Sequence, residues 1–304
     1  MIPEPNSDTV AVEGDKSVDE IVESGQGSGV RLRLALLYCI LVFACSWSIW
    51  IISLIAEDVE WQFDLGSLHF DLTRKWAIAA VGGSSPAIVA FVLGLITRWR
   101  YFPDPYSQLR SRVQPKSLYL VAISAPILLT LLAEFAQKNL ASDTFADLGL
   151  LSILTLAGIF LVNLPLAPLW EEPGWRGCLL PLLTPRFGLW GPALIIGLVW
   201  AIWHLPLYLL VQELPANVCL AACVEIVAMS VVMAALYRAA GNSLRLPILF
   251  HGSWNAMSRF STHSGWFFSL RGAATLAVGI WLLAVFCWLW WSGPNSDTSA
   301  NPPL

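Results

Sequence analysis

Apolar runs of bilayer length, separated by short polar connections, dominate the chain. Residues 34–56, 76–97, 148–170 and 272–292 carry no charged side chain, and roughly twenty such residues suffice to cross the hydrocarbon core. Residues 187–212 qualify with His204 inside the run, and residues 214–237 with Glu225 alone. A shorter run spans 117–133, and a more polar one, 243–262, contains His251 and Asn255. The pattern predicts an all-α polytopic membrane protein of about eight transmembrane helices with a buried polar site. Residues 1–30, rich in Glu, Asp, Ser and Gly, predict a disordered tail. That stretch lacks the basic start and apolar core of a signal peptide, so the first span is expected to serve as the targeting signal. A transmembrane domain over 31–292 and a short polar tail over 293–304 complete the predicted organisation.

Composition supports this class. The chain is 57% hydrophobic and only 12% charged, whereas roughly a quarter of the residues of soluble proteins are charged. No basic patch large enough for nucleic acid accompanies the net charge of −4. Charge placement predicts orientation. With the N-terminus inside, Arg74, Lys75, Lys138, Arg259 and Arg271 fall outside, leaving the other twelve of the 17 Lys and Arg within. That asymmetry follows the positive-inside rule, so both termini are expected in the cytoplasm and the acidic loop 57–71 opposite. In a prokaryotic cell the membrane would be the plasma membrane. The 6 cysteines lie almost wholly in apolar runs and lack the spacing of a structural zinc site, so they read as small packing residues.

Three polar clusters interrupt the apolar runs: Glu171-Glu172-Pro-Gly-Trp-Arg176, Trp200-Ala-Ile-Trp-His204 and His251-Gly-Ser-Trp-Asn255. Ionisable groups at membrane depth are costly and face a bundle interior or a cavity. Glu172 and Arg176 are i,i+4 neighbours suited to an ion pair, while Glu171 points about 100° away. His251 and Asn255 share a face by the same spacing. Each cluster has a plainer reading: solvated charges in an inner loop, a histidine bonded to a carbonyl, or polar glue between helices. Together they supply a carboxylate, two imidazoles and an amide, the groups needed to activate water and stabilise an oxyanion. Along straight helices, Glu171 lies roughly 18 Å from an inner helix end near 183, His251 roughly 10 Å from one near 244, and His204 roughly 24 Å from one near 188. The clusters are therefore expected to meet in the cytoplasmic half of the bilayer. Pro165, Pro168 and Pro173 predict a kink beside the glutamates.

At these residues the chain resembles the CPBP family of intramembrane proteases, the CAAX-protease and bacteriocin-processing (Abi) family. The family pattern is Glu-Glu-x-x-x-Arg, then Phe-x-x-x-His, then His-x-x-x-Asn or Asp. Residues 171–176 match the first motif, His204 the second and His251 with Asn255 the third; Trp200 stands where phenylalanine is usual. The resemblance covers about 150–260. It implies a catalytic core there, with Glu171 and His204 activating water, His251 and Asn255 holding the oxyanion, and Glu172 and Arg176 orienting Glu171. Trp200 is expected to form an aromatic wall beside His204.

The implied function is an intramembrane endopeptidase that hydrolyses a peptide bond near the cytoplasmic face. Its partner would be a peptide or membrane-anchored protein held in the lipid bilayer. A metal-dependent variant remains open, with Glu171, His204 and His251 as ligands of Zn²⁺ and water as the fourth. Without a His-Glu-x-x-His helix, metal-free activation by glutamate and histidine is preferred. A non-catalytic scaffold or immunity protein that binds a peptide in the pocket is the first alternative. A proton-coupled transporter is the second, disfavoured because the two halves lack paired broken helices.

Overall fold

The computed structural model describes residues 18–55, 59–65, 68–113, 115–137, 150–262 and 270–292. The tail 293–304, residues 1–17 and His263 lie outside the described residues. Helix α1 (Val18–Ile55) leads into a hairpin of β1 (Glu60–Leu65) and β2 (Leu68–Thr73). Then follow α2 (Arg74–Gly83), α3 (Ser85–Thr97), the short α4 (Pro105–Arg110), α5 (Ser117–Gln137) and α6 (Leu150–Leu166). Helices α7 (Pro168–Gly174) and α8 (Leu180–Phe187) flank a π-helical turn, Trp175–Leu179. The chain ends in α9 (Trp190–Pro206), α10 (Ala216–Ala239), α11 (Arg245–Thr262) and α12 (Leu270–Ser292).

The protein is a multi-pass, predominantly helical membrane protein. Four described segments are long and apolar enough to cross a bilayer: Gly27–Ile55, Ala77–Thr97, Trp190–Val211 and Ala216–Ala239. Shorter apolar segments are Ser117–Ala133, Leu156–Leu166 and Ala274–Trp290. Many large apolar side chains point outward, including Ile40, Leu120, Leu161, Leu220 and Leu282. In water they would be a liability; in lipid they are the expected exterior.

Three features differ from the sequence-based expectation. The helix α1 begins at Val18, inside the stretch read as a tail, because extending a helix costs little once an apolar span has nucleated it. The connection read as an acidic loop contains an antiparallel hairpin, with Trp61 opposite Leu72, Phe63 opposite Phe70 and Leu65 opposite Leu68. Apolar and polar residues alternate there with the period of a strand, a local signal outweighed by the charge count. Most important for the site, the kink expected beside the glutamates is a full break in the helix. The helix stops at Leu166 and restarts at Pro168, with Ala167 at φ −135° and ψ −60°. Pro168 occupies a first-turn position, where its missing N–H costs nothing.

Helices α9, α10 and α12 pack in series, and α11 lies against α5 and α6. Between these groups, α7 contacts α3 and α11. Two glycines permit the closest approaches. A Cβ at Gly174 would lie 2.6 Å from the backbone carbon of Pro86, and one at Gly197 2.8 Å from Val227 Cα. Small residues at such crossings let membrane helices meet backbone to backbone. Pro86 belongs to α3 and Val227 to α10, so these glycines bring α7 and α9 into the bundle interior.

Candidate active site

Three helices deliver the polar groups to one place. Helix α7 carries Glu171 and Glu172, the π turn Arg176, helix α9 Trp200 and His204, and helix α11 His251 and Asn255. Glu172 and Arg176 are 0% exposed, Glu171 and His251 4%, and His204 9%. Such burial removes the reading of 171–176 as a solvated loop, since charges this deep persist only when paired.

Glu172 is the anchor. Its Oε1 accepts from Arg176 Nη1 at 3.1 Å and from His251 Nδ1 at 2.9 Å. Oε2 also lies 3.1 Å from Arg176 Nη1, an ion-pair contact that lacks hydrogen-bond geometry. The expected Glu172–Arg176 pair is therefore present, and it reaches further than the spacing suggested, tying α7 to α11 through His251. Glu171 faces elsewhere. Its Oε2 accepts from the indole Nε1 of Trp200 at 2.8 Å, joining α7 to α9.

Hydrogen-bond chemistry assigns the imidazole protons. The nearest partner of His204 Nδ1 is the carbonyl oxygen of Trp200 at 2.9 Å, which can only accept, so Nδ1 carries a proton. His251 Nδ1 faces an arginine-paired carboxylate, again an acceptor. Each ring is thus held through Nδ1, and Nε2 is the nitrogen left for chemistry. Asn255 is half-buried one helical turn beyond His251, and its amide bonds to no other described residue. Tyr208 stacks on His204, with ring centroids 5.1 Å apart and planes at 26°. Trp203 meets the same imidazole edge-on at 4.7 Å.

One supporting residue carried no signal in the sequence. Gln108, on α4, is 3% exposed. Its Nε2 donates to the carbonyls of Pro103 and Gly177 at 3.0 and 3.1 Å, while its Oε1 accepts from Tyr237 at 2.7 Å. A π turn breaks the i→i+4 ladder, and the Gly177 carbonyl lies inside this one. Gln108 thus clamps the turn that carries Arg176. A glutamine in a polar connection between spans has the sequence signature of a solvated residue. Gln108→Ala is expected to leave the buried Tyr237 hydroxyl and Gly177 carbonyl unpaired. The cost should be about 1–3 kcal/mol for each group left unsatisfied, read as a lower melting temperature in detergent.

Glu225 is 5% exposed on α10 and forms no ion pair with any described residue, neither with an arginine nor with the site. Among the described residues no three His, Cys, Asp or Glu side chains are grouped to hold an ion. The hydrogen bonds to Trp200 and Glu172 leave one Glu171 oxygen and the Nε2 atoms of His204 and His251 unengaged.

Residues 153–257 match the family model described as type II CAAX prenyl endopeptidase Rce1-like. This core is similar to the CAAX-protease (CPBP) family. The matched segment contains all three polar clusters and ends just after Asn255. A comparison with curated proteins found no match. That similarity supports a protease, in general terms a CAAX-type intramembrane endopeptidase acting on a membrane-associated protein or peptide. Its helical breaks position the polar clusters. The restart at Pro168 sets the direction of Glu171 and Glu172, and the π turn still leaves Arg176 within reach of Glu172.

Proposed function

We propose that the protein hydrolyses a peptide bond of a membrane-anchored protein or peptide near the cytoplasmic face, without a metal. The observation that carries this reading is the division of labour between adjacent glutamates. Glu172 is consumed by Arg176 and His251, whereas Glu171 keeps one carboxylate oxygen beyond its single bond to Trp200. One glutamate is structural and the other is free to take a proton.

In this mechanism Glu171 and the Nε2 lone pair of His204 hold a water molecule. Glu171 removes its proton as the oxygen attacks the scissile carbonyl carbon. The carbonyl π electrons become an oxyanion, which accepts from the Asn255 amide. His251, whose Nδ1 is held by Glu172, joins as a second donor when Nε2 also carries a proton. Collapse of the tetrahedral intermediate breaks the C–N bond, and the proton on Glu171 passes to the leaving amine. Both termini in the cytoplasm, as the charge asymmetry supports, would place the site on the side where lipid-anchored cytoplasmic tails reside.

Comparing the termini of membrane proteins in cells expressing wild-type or Glu171→Ala protein tests the assignment. New C-termini that depend on Glu171 are expected. Asn255→Ala should reduce their formation by roughly 10²–10³ in rate without abolishing it, the usual effect of losing one oxyanion donor. Identical termini in both cells, together with retained peptide binding, would favour a binding scaffold instead.

A further inference from the structure

Trp200 touches Glu171, Arg176, His251 and His204. Its indole Nε1 donates to Glu171 Oε2 at 2.8 Å. Its ring face lies 4.8 Å beneath the guanidinium carbon of Arg176. Its edge meets the His251 ring at a centroid distance of 5.2 Å and 75°. Its own carbonyl fixes the His204 tautomer. The side chain is 1% exposed, so no water competes for the indole N–H. The aromatic wall expected from sequence needs only a ring. A phenylalanine at this position would supply the wall and the contact with Arg176, but no donor for Glu171.

The donor matters because Glu171 has a competing partner. Arg176 lies within coulombic reach of Glu171, and its Nη2 is buried without a hydrogen-bond acceptor. A carboxylate released from Trp200 would be drawn to that guanidinium. There it would stand in the structural ion pair, away from the water it must deprotonate. We infer that Trp200 is a positioning residue whose indole N–H holds Glu171 apart from the Glu172–Arg176 pair and presents its second oxygen to the nucleophilic water. The inference rests on Glu171 being the general base.

Replacing Trp200 with 3-benzothienylalanine keeps the bicyclic shape and exchanges only N–H for sulfur; Trp200→Phe is the genetically simple counterpart. The substrate probe is a peptide spanning a cleavage site found in the termini comparison, presented in liposomes. Both variants should lower kcat about 10- to 100-fold, the range for losing a hydrogen bond to a charged group. KM and melting temperature should stay near wild type for the benzothienyl variant. An activity-independent readout accompanies this one. The ¹⁵N indole signal lost in Trp200→Phe should move in Glu171→Gln, because its acceptor has lost its charge. Wild-type kcat in the benzothienyl variant, or an unmoved indole signal, overturns the inference. Wild-type turnover in Glu171→Gln overturns the general-base reading, whatever the Trp200 variants do.

Discussion

Glu171→Gln is expected to lower kcat by about 10³-fold or more, near the upper part of the range for general-base catalysis, while peptide binding persists. The amide is nearly isosteric and can still accept from Trp200 Nε1 through its oxygen, so the site should keep its shape and lose only the base. Equilibrium binding of the peptide to the purified variant, beside single-turnover cleavage, separates these effects. Loss of binding in parallel with turnover would mean that Glu171 contacts the substrate rather than the water. The same preparation addresses metal. Metal-free activation expects no stoichiometric zinc and no effect of chelation. Zinc lost together with activity would make Glu171, His204 and His251 ligands.

Arg176→Ala should have a large effect on stability. Its guanidinium and Glu172 are both fully buried, and removing one member of a buried pair typically costs about 3–5 kcal/mol because the other charge is left uncompensated. Glu172 would retain His251 at 2.9 Å, a partner only while that imidazole carries its Nδ1 proton. Glu172→Ala should be at least as damaging, since it strands Arg176 and frees His251 at once. Melting temperature and the fraction recovered as monodisperse protein in detergent would show both losses. A fully stable but wholly inactive Arg176→Ala protein would reassign Arg176 to direct substrate contact. Replacing both Glu172 and Arg176 with apolar residues is expected to recover part of the stability and none of the activity.

Membrane class, the approximate span positions and the identity of the polar residues were legible in the chain itself. Length and hydropathy suffice for the spans, because lipid demands a continuous apolar segment with internally satisfied backbone. The i,i+4 spacing was enough for the Glu172–Arg176 pair, a contact within one stretch of helix. Prolines at 165, 168 and 173 announced a distortion, but not that it would be a complete break followed by a π turn. Those outcomes depend on partners remote in sequence, such as Gln108, which accommodates Gly177 from 69 positions away. The hairpin at 60–73 shows the converse, a local alternation that was overshadowed by its charges.

What each glutamate does was decided only in three dimensions. Side by side in sequence, Glu171 and Glu172 are chemically the same, and helical geometry says merely that they point apart. Packing of α7 against α11 gives Glu172 its second partner, His251, 79 positions away, and the meeting of α7 with α9 gives Glu171 the indole of Trp200, 29 positions away. The sequence alone determined that a carboxylate pair, two imidazoles and an amide would lie on helices of a largely apolar chain, because hydropathy and helical period are local properties. Tertiary structure alone decided which carboxylate is consumed as a strut and which is left reactive, because hydrogen bonds between helices depend on crossings that no local spacing encodes.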